Sequence, residues 1–185
     1  MPTESQAGLD ERQARLTRLM EHYQPALHRL VNFYEADRSR REDLFQEVLL
    51  GLWKAIPQFR GASSERTWFY RIAHNIAISA AYSQRRRERS EVPMTGTVDY
   101  PYEAEYPDKA LILREKRDTM LAAIRDLPAI DRQVVVLHLE GLSHEEIEQV
   151  SGLSQNAIAT RLSRIRIRFP RRCEESRHTN DLRIR

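Results

Sequence analysis

The sequence predicts an all-α protein built as two small helical domains joined by a flexible linker. Apolar residues recur at helical spacing through most of the chain, and no sustained strand-type alternation stands out. Near the middle, residues 90–108 carry Pro93, Gly96, Pro101 and Pro107 among acids with no period, the composition of an interdomain connection. The 185 residues are 41% hydrophobic and 31% charged, which suits a highly charged, helix-forming chain and not a disordered one.

Residues 1 to about 10 are polar and read as a frayed start. From Leu16 the positions Leu19, Met20, Tyr23, Leu27, Leu30, Val31 and Tyr34 follow a helical period, with a break expected near Pro25. The stretch "EADRSRRED" reads as a polar turn. Leu44, Val48, Leu49, Leu52 and Ile56 then line one face of a second helix, which turns Asp43, Gln46, Glu47, Leu50 and Lys54 outward. Pro57 and Gly61 bracket a loop, and Ser63 or Ser64 is placed to cap a helix from about Glu65 to Tyr82. That helix buries Phe69, Ile72, Ala73, Ile76 and Ala80. Its period leaves Thr67, Tyr70, Arg71, His74 and Asn75 outward or at the flank, with Trp68 on the edge of the stripe.

Beyond the linker, helical spacing resumes from about Lys109 to Leu127 and stops at Pro128. Asp131 is placed to cap the next helix, whose apolar positions are Val134, Val135, Leu137 and Leu139 and which ends at Gly141. Ser143 and Glu146 form a capping box. Gly152 supplies a left-handed turn and Ser154 a cap for the last helix. In that helix Ile158, Leu162, Ile165 and Phe169 make an apolar stripe, so Asn156, Ala159, Thr160 and Ser163 fall on the far side, flanked by Arg161, Arg164, Arg166 and Arg168. Small polar residues fit a groove and meet base edges, and guanidinium forks clamp phosphate or guanine. Two short helices joined in this way read as a helix-turn-helix DNA reader.

Net charge is only +3, so the placement of the bases matters more than their sum. Nearly all are arginine, with lysine only at Lys54, Lys109 and Lys116. Arg66 and then Arg85, Arg86, Arg87 and Arg89 follow the aromatic helix of the first domain, a pattern suited to stacking and neutralising unpaired nucleotides. No apolar stretch is long enough to cross a bilayer, and the first 20 residues have no signal-peptide core, so a cytoplasmic protein is expected. Cys173 is the only cysteine, which excludes an intramolecular disulfide and a thiolate metal cluster.

The segment "REDLFQEVLLGLWKAIPQFRGASSERTWFYRIAHNIA" resembles domain 2 of bacterial sigma factors of the extracytoplasmic-function type, and "LPAIDRQVVVLHLEGLSHEEIEQVSG" with the reader helix resembles their domain 4. The resemblance runs from about residue 20 to 172. It implies sigma domain 2 over 11–89, a linker over 90–108, sigma domain 4 over 109–172 and a tail over 173–185. It implies a non-enzymatic factor that binds core RNA polymerase through its clamp helices and flap, recognises and melts promoter DNA, and is held in check by an anti-sigma factor, without a cofactor and without membrane insertion.

Carried over residue by residue, polymerase binding falls on Asp43, Leu44, Gln46 and Glu47. Minus-10 contacts fall on Arg60, Ser63, Ser64, Thr67, Trp68, Tyr70, Arg71 and Asn75, with the loop Gln58 to Ser64 capturing a flipped base. Minus-35 contacts fall on Arg132, Ser143, Asn156, Thr160, Arg161, Ser163, Arg164 and Arg168. The family's frequent Gly-Thr-Val-like triplet is replaced here by Asn156, Ala157 and Ile158. That leaves the promoter sequence open.

Two other readings compete. A plain helix-turn-helix regulator fits the C-terminal half but gives no role to the Asp43–Glu47 face. A metalloenzyme using His138, His144, Glu145 and Glu148 lacks the second histidine at i+4 that a zinc-binding helix needs.

Overall fold

A computed structural model of the chain describes residues 6–90 and 107–167, apart from the side chains of 85, 88–90 and 107–112. Every regular element among the described residues is helical. The linker core 91–106, Phe169, the reader's Arg168, Cys173 and the tail 173–185 lie outside them.

Helix α1 spans Gln6–Tyr34, starting earlier than its apolar period. The reason is tertiary: the Arg12 guanidinium sits 5.0 Å above the Trp53 ring and that of Arg15 4.8 Å above Phe59, so cationic side chains hold the polar first turns against the first lobe. Pro25 does not break the helix. It faces solvent, so the carbonyl of Glu21, which loses its helical partner there, is also on the wet side.

Helix α2 spans Arg38–Ala55, and the Asp37 side chain caps it by accepting from Arg40 N at 2.9 Å. The arginine-rich "turn" is therefore only three residues, 35–37, and the last six of the stretch belong to the helix. A 3-10 turn, Ile56–Gln58, leads into the loop. Ser64 Oγ accepts from Thr67 N at 3.1 Å and so starts α3, Glu65–Ser90, which continues through the arginine run past the expected end at Tyr82. Leu27, Leu30, Val48, Leu52, Phe69, Ala73 and Ala77 are wholly buried between the three helices, and Tyr23 stacks on Phe69 with centroids 4.5 Å apart.

The second lobe holds α4 Pro107–Arg125, α5 Ala129–Leu139, α6 His144–Ser151 and α7 over residues 155–167. Pro128, not Asp131, is the N-cap of α5; Asp131 lies within the first turn and its carboxylate accepts from Arg161. The capping box of α6 is formed on both sides, with Ser143 Oγ accepting from Glu146 N at 3.1 Å and Glu146 Oε2 from Ser143 N at 2.8 Å. Gly152 closes α6 at φ 73°, a conformation that an L side chain resists. Ile124, Val134, Leu137, Ile147 and Ile158 form the core of this lobe.

The two lobes touch: α3 packs against α5 and α6, and α1 against α4.

Candidate nucleic-acid interface

On α7 the apolar stripe turns inward, with Ile158 and Ile165 buried and Leu162 half-buried, while Asn156, Ala159, Thr160, Ser163, Arg164 and Arg166 are exposed. Thr160 Oγ1 donates to the Asn156 carbonyl at 2.8 Å, which fixes its rotamer and keeps its methyl at the surface. Gln155, absent from the candidate residues above, is exposed at the start of α7 and donates to Glu148 Oε2 at 3.0 Å across the turn. An amide in the first turn of the reader helix was the signal that could have found it.

Two of the other residues assigned to this surface sit elsewhere. Arg161 is half-buried and paired with Asp131, so its fork is turned back toward α5. Arg132 is 3% exposed. Its guanidinium donates to the carbonyls of Arg125 and Leu127 and lies 5.3 Å from the Tyr34 ring, which corrects its placement near phosphate in this arrangement. Ser143 stays exposed at the tip of α6.

Helix α3 has three sides. Phe69, Ala73 and Ala77 face the first lobe's core. Arg66, Tyr70 and His74, spaced by four, form a second stripe, of which Arg66 and Tyr70 meet Glu140 of the other lobe while His74 pairs with Tyr34 of its own. The outward reading of Thr67, Tyr70 and His74 is therefore corrected: all three are buried, as is Trp68. Thr67 is held by Ser64, with 2.8 Å between their hydroxyl oxygens, and the Trp68 ring packs 5.0 Å from Phe59. What remains accessible is the loop with Arg60 and Ser64, half-buried Ser63 and Arg71, and exposed Asn75. Arg71 donates to Ser63 Oγ at 3.1 Å, which ties the loop to the helix.

On α2, Asp43, Gln46 and Glu47 are exposed as expected, and Leu50 beside them is 53% exposed. Leu44 is 5% exposed; the i, i+4, i+8 stripe with Val48 and Leu52 pulls it into the core, so it supports that face from beneath and does not present itself.

Glu140 was missed by sequence reasoning. It follows the last turn of α5 and precedes Gly141, which stands at φ 75°. Its carboxylate accepts from Arg29 Nε at 2.7 Å, from Arg29 Nη2 at 2.6 Å and from the Tyr70 hydroxyl at 3.0 Å. Its carbonyl accepts from Arg66 Nη2 at 2.6 Å, and Arg66 Nη1 lies 3.7 Å from Glu146. Burial, and then the Glu140 charge, push the Tyr70 hydroxyl well above its ordinary range, so it stays protonated and donates. Nearby, Tyr34 Oη and His74 Nδ1 are 3.0 Å apart. Complete burial lowers the His74 pKa from 6.5 to about 3, which keeps the ring neutral.

No group of three or more metal-ligating side chains occurs among the described residues, and no described helix is long and apolar enough to cross a membrane. The arrangement is that of a helical, two-lobed DNA-binding protein whose second lobe presents a helix-turn-helix. Residues 19–87 match Sigma-70 region 2 and residues 117–169 match Sigma-70, region 4.

The chain is 30% identical to the "ECF RNA polymerase sigma-E factor" of Escherichia coli strain K12 over 155 residues, covering 80% of this chain and 81% of that protein. It is 27% identical to the sigma-E factor of Haemophilus influenzae over 155 residues, 80% of this chain and 82% of that one. Among solved structures it is similar to the sigma factor RpoE in complex with the anti-sigma factor NepR from Bartonella quintana, at TM-score 0.65 and 23% identity over 86% of this chain and 94% of that one. It is also similar to CnrH in complex with the cytosolic domain of CnrY, at TM-score 0.60 and 20% identity over 88% of this chain and 87% of that one. This chain belongs to the ECF family of RNA polymerase sigma factors. Members of that family initiate transcription and are not enzymes.

Proposed function

We propose that this chain acts in the cytoplasm by docking on core RNA polymerase and placing two DNA-reading surfaces on one promoter. In this reading domain 2, over 11–89, meets the clamp helices with Asp43, Gln46, Glu47 and the neighbouring Leu50, above the buried support of Leu44. Domain 4, over 109–172, reads the minus-35 element with the open face of α7, chiefly Asn156, Thr160, Ser163 and Arg164, with Gln155 beside them. The observation that carries the reading is that exposed face: small polar side chains flanked by the exposed Arg164 and Arg166, on a helix that follows the capped α6 across the Gly152 turn. Ser143, exposed at the tip of α6, is proposed to face the phosphates.

The minus-10 surface combines the loop of Arg60, Ser63 and Ser64 with Arg71 and Asn75. Tyr70 joins it when the lobes part, whereas Thr67 and Trp68 are covered within their own lobe by Ser64 and Phe59 and support the surface from beneath. Melting then needs no covalent step, since unstacking a base costs a few kcal/mol and capture in the loop offsets it. The sigma factor RpoE of Bartonella quintana is in complex with the anti-sigma factor NepR, and control by such a factor is proposed here. Asn75→Ala is the test: permanganate footprints on a promoter complex lose strand opening while binding to core polymerase persists. Unchanged footprints would contradict the placement of the minus-10 surface on α3.

A further inference from the structure

The Glu140 carboxylate is 5% exposed, yet the arginine that pairs with it is 56% exposed. An acid buried at the contact between two lobes is sustained by its donors, and these come from α1 and α3 of the other lobe: Arg29 as a bidentate fork and Tyr70 through its hydroxyl. Arg66 adds the carbonyl of the same residue and the side chain of Glu146. A second seam runs alongside. Arg125 Nε and Nη2 donate to the Asn32 carbonyl at 3.0 and 2.7 Å, and Arg132 lies over Tyr34.

On α3, Tyr70 is buried against Glu140 and Arg66 is partly spent on the Glu140 carbonyl and Glu146, so the donor groups of both are engaged by the second lobe while the lobes are together. The arginine and tyrosine that suit unpaired nucleotides are the same groups that hold Glu140. A carboxylate is the group a phosphate oxygen replaces most readily, because both accept from guanidinium forks.

We propose that Glu140 is an intramolecular latch that occupies the nucleic-acid-facing stripe of α3 and keeps the free chain closed. Opening exposes Arg66 and Tyr70 and frees Arg29. The proposal rests on the reading of α3 as the minus-10 helix given above. The closed form competes with promoter capture, and association is slowed by the fraction of chains that are open. With an open state populated at about 1–10%, releasing the latch speeds formation of the promoter complex by about ten-fold or more.

The test uses the full chain and core polymerase with a promoter fragment. Glu140→Lys places a cation against Arg29 and Arg66, and Arg29→Glu places an acid against Glu140; each is expected to enlarge the radius of gyration in small-angle scattering and to raise the rate of promoter-complex formation. The double variant Arg29→Glu with Glu140→Arg restores the pair and is expected to return both quantities toward the native values. Rescue of this kind separates a latch from a fold that has simply been weakened. Unchanged dimensions in both single variants, or expansion without faster complex formation, or single-variant effects that the charge exchange fails to reverse, each overturn the proposal. Failure of the sigma-factor reading itself looks different: the native chain then forms no promoter complex with core polymerase, while the scattering comparison still decides whether Glu140 holds the lobes together.

Discussion

The outer face of α7 and the outer stripe of α3 were assigned the same task, and they meet opposite fates in the fold. Asn156, Thr160, Ser163 and Arg164 stand in solvent, whereas Thr67, Tyr70 and His74 are buried. The outer face of α7 carries Asn156, Ala159, Thr160, Ser163 and Arg164, so that face offers little apolar surface for another element to cover. On α3 the stripe carries aromatic rings, whose burial is favourable wherever their polar tips find partners. Tyr70 finds Glu140, and His74 finds Tyr34 of α1. A polar helix face thus stays open by default, while an aromatic-polar face is open only when nothing else in the chain supplies the complementary donors and acceptors.

The comparison can be broken most severely at its inner side. Phe69, wholly buried and stacked on Tyr23, anchors α3; Phe69→Ala is expected to cost about 3–5 kcal/mol in urea unfolding, through lost contacts and a cavity. If the first lobe tolerated it, α3 would not be the rigid platform described here.

His74 gives a sharper probe of the covered stripe. Its pKa is lowered from 6.5 in the unfolded chain to about 3 in the fold. Between those values the unfolded chain binds more protons, so the stability contribution is complete above pH 6.5 and falls as the pH drops below it. Denaturant unfolding at pH 7 and pH 5 should lose about 2 kcal/mol from this residue on acidification, and His74→Gln should remove that part of the dependence. An equally steep loss in the variant would mean that the ring is not buried neutral.

On the open side, Arg164→Ala is expected to weaken binding to the minus-35 element by about 1–3 kcal/mol, measured by competition with a scrambled site at fixed salt. Stability should be unchanged, since the side chain is exposed. The smallest effect is expected at the support of the reader: Ser143→Ala removes half of the capping box and should lower stability by about 1 kcal/mol, visible as a small shift in the unfolding midpoint.

How far these surfaces were legible follows from the same contrast. Helical periods, the capping box, Gly152 and the reader's far side depend on spacing within one helix, and all of them stand in the structure. Pro25 was misjudged because a break depends on whether the orphaned carbonyl meets water, which only the packed helix decides. Asp131 was given a capping role because a first-turn acid looks like a cap, whereas its partner Arg161 lies 30 residues away. Leu44 sits among residues of the polymerase-facing segment, yet the four-residue stripe of α2 takes it inward. Tyr70 and Glu140 owe their surroundings to the other lobe, and periodicity within a helix carries no information about contacts 70 or 111 residues distant; Arg132 turns back onto the Arg125 and Leu127 carbonyls at the end of α4, which a helical period does not show either.

The most direct test of the whole account is transcription in a defined system containing core RNA polymerase, DNA carrying a promoter mapped from transcripts after overexpression, and this chain alone. Specific transcripts should start at that promoter only when the chain is added, and promoter binding should depend on the polymerase. Absence of specific initiation, or DNA binding equally tight without the polymerase, would contradict it.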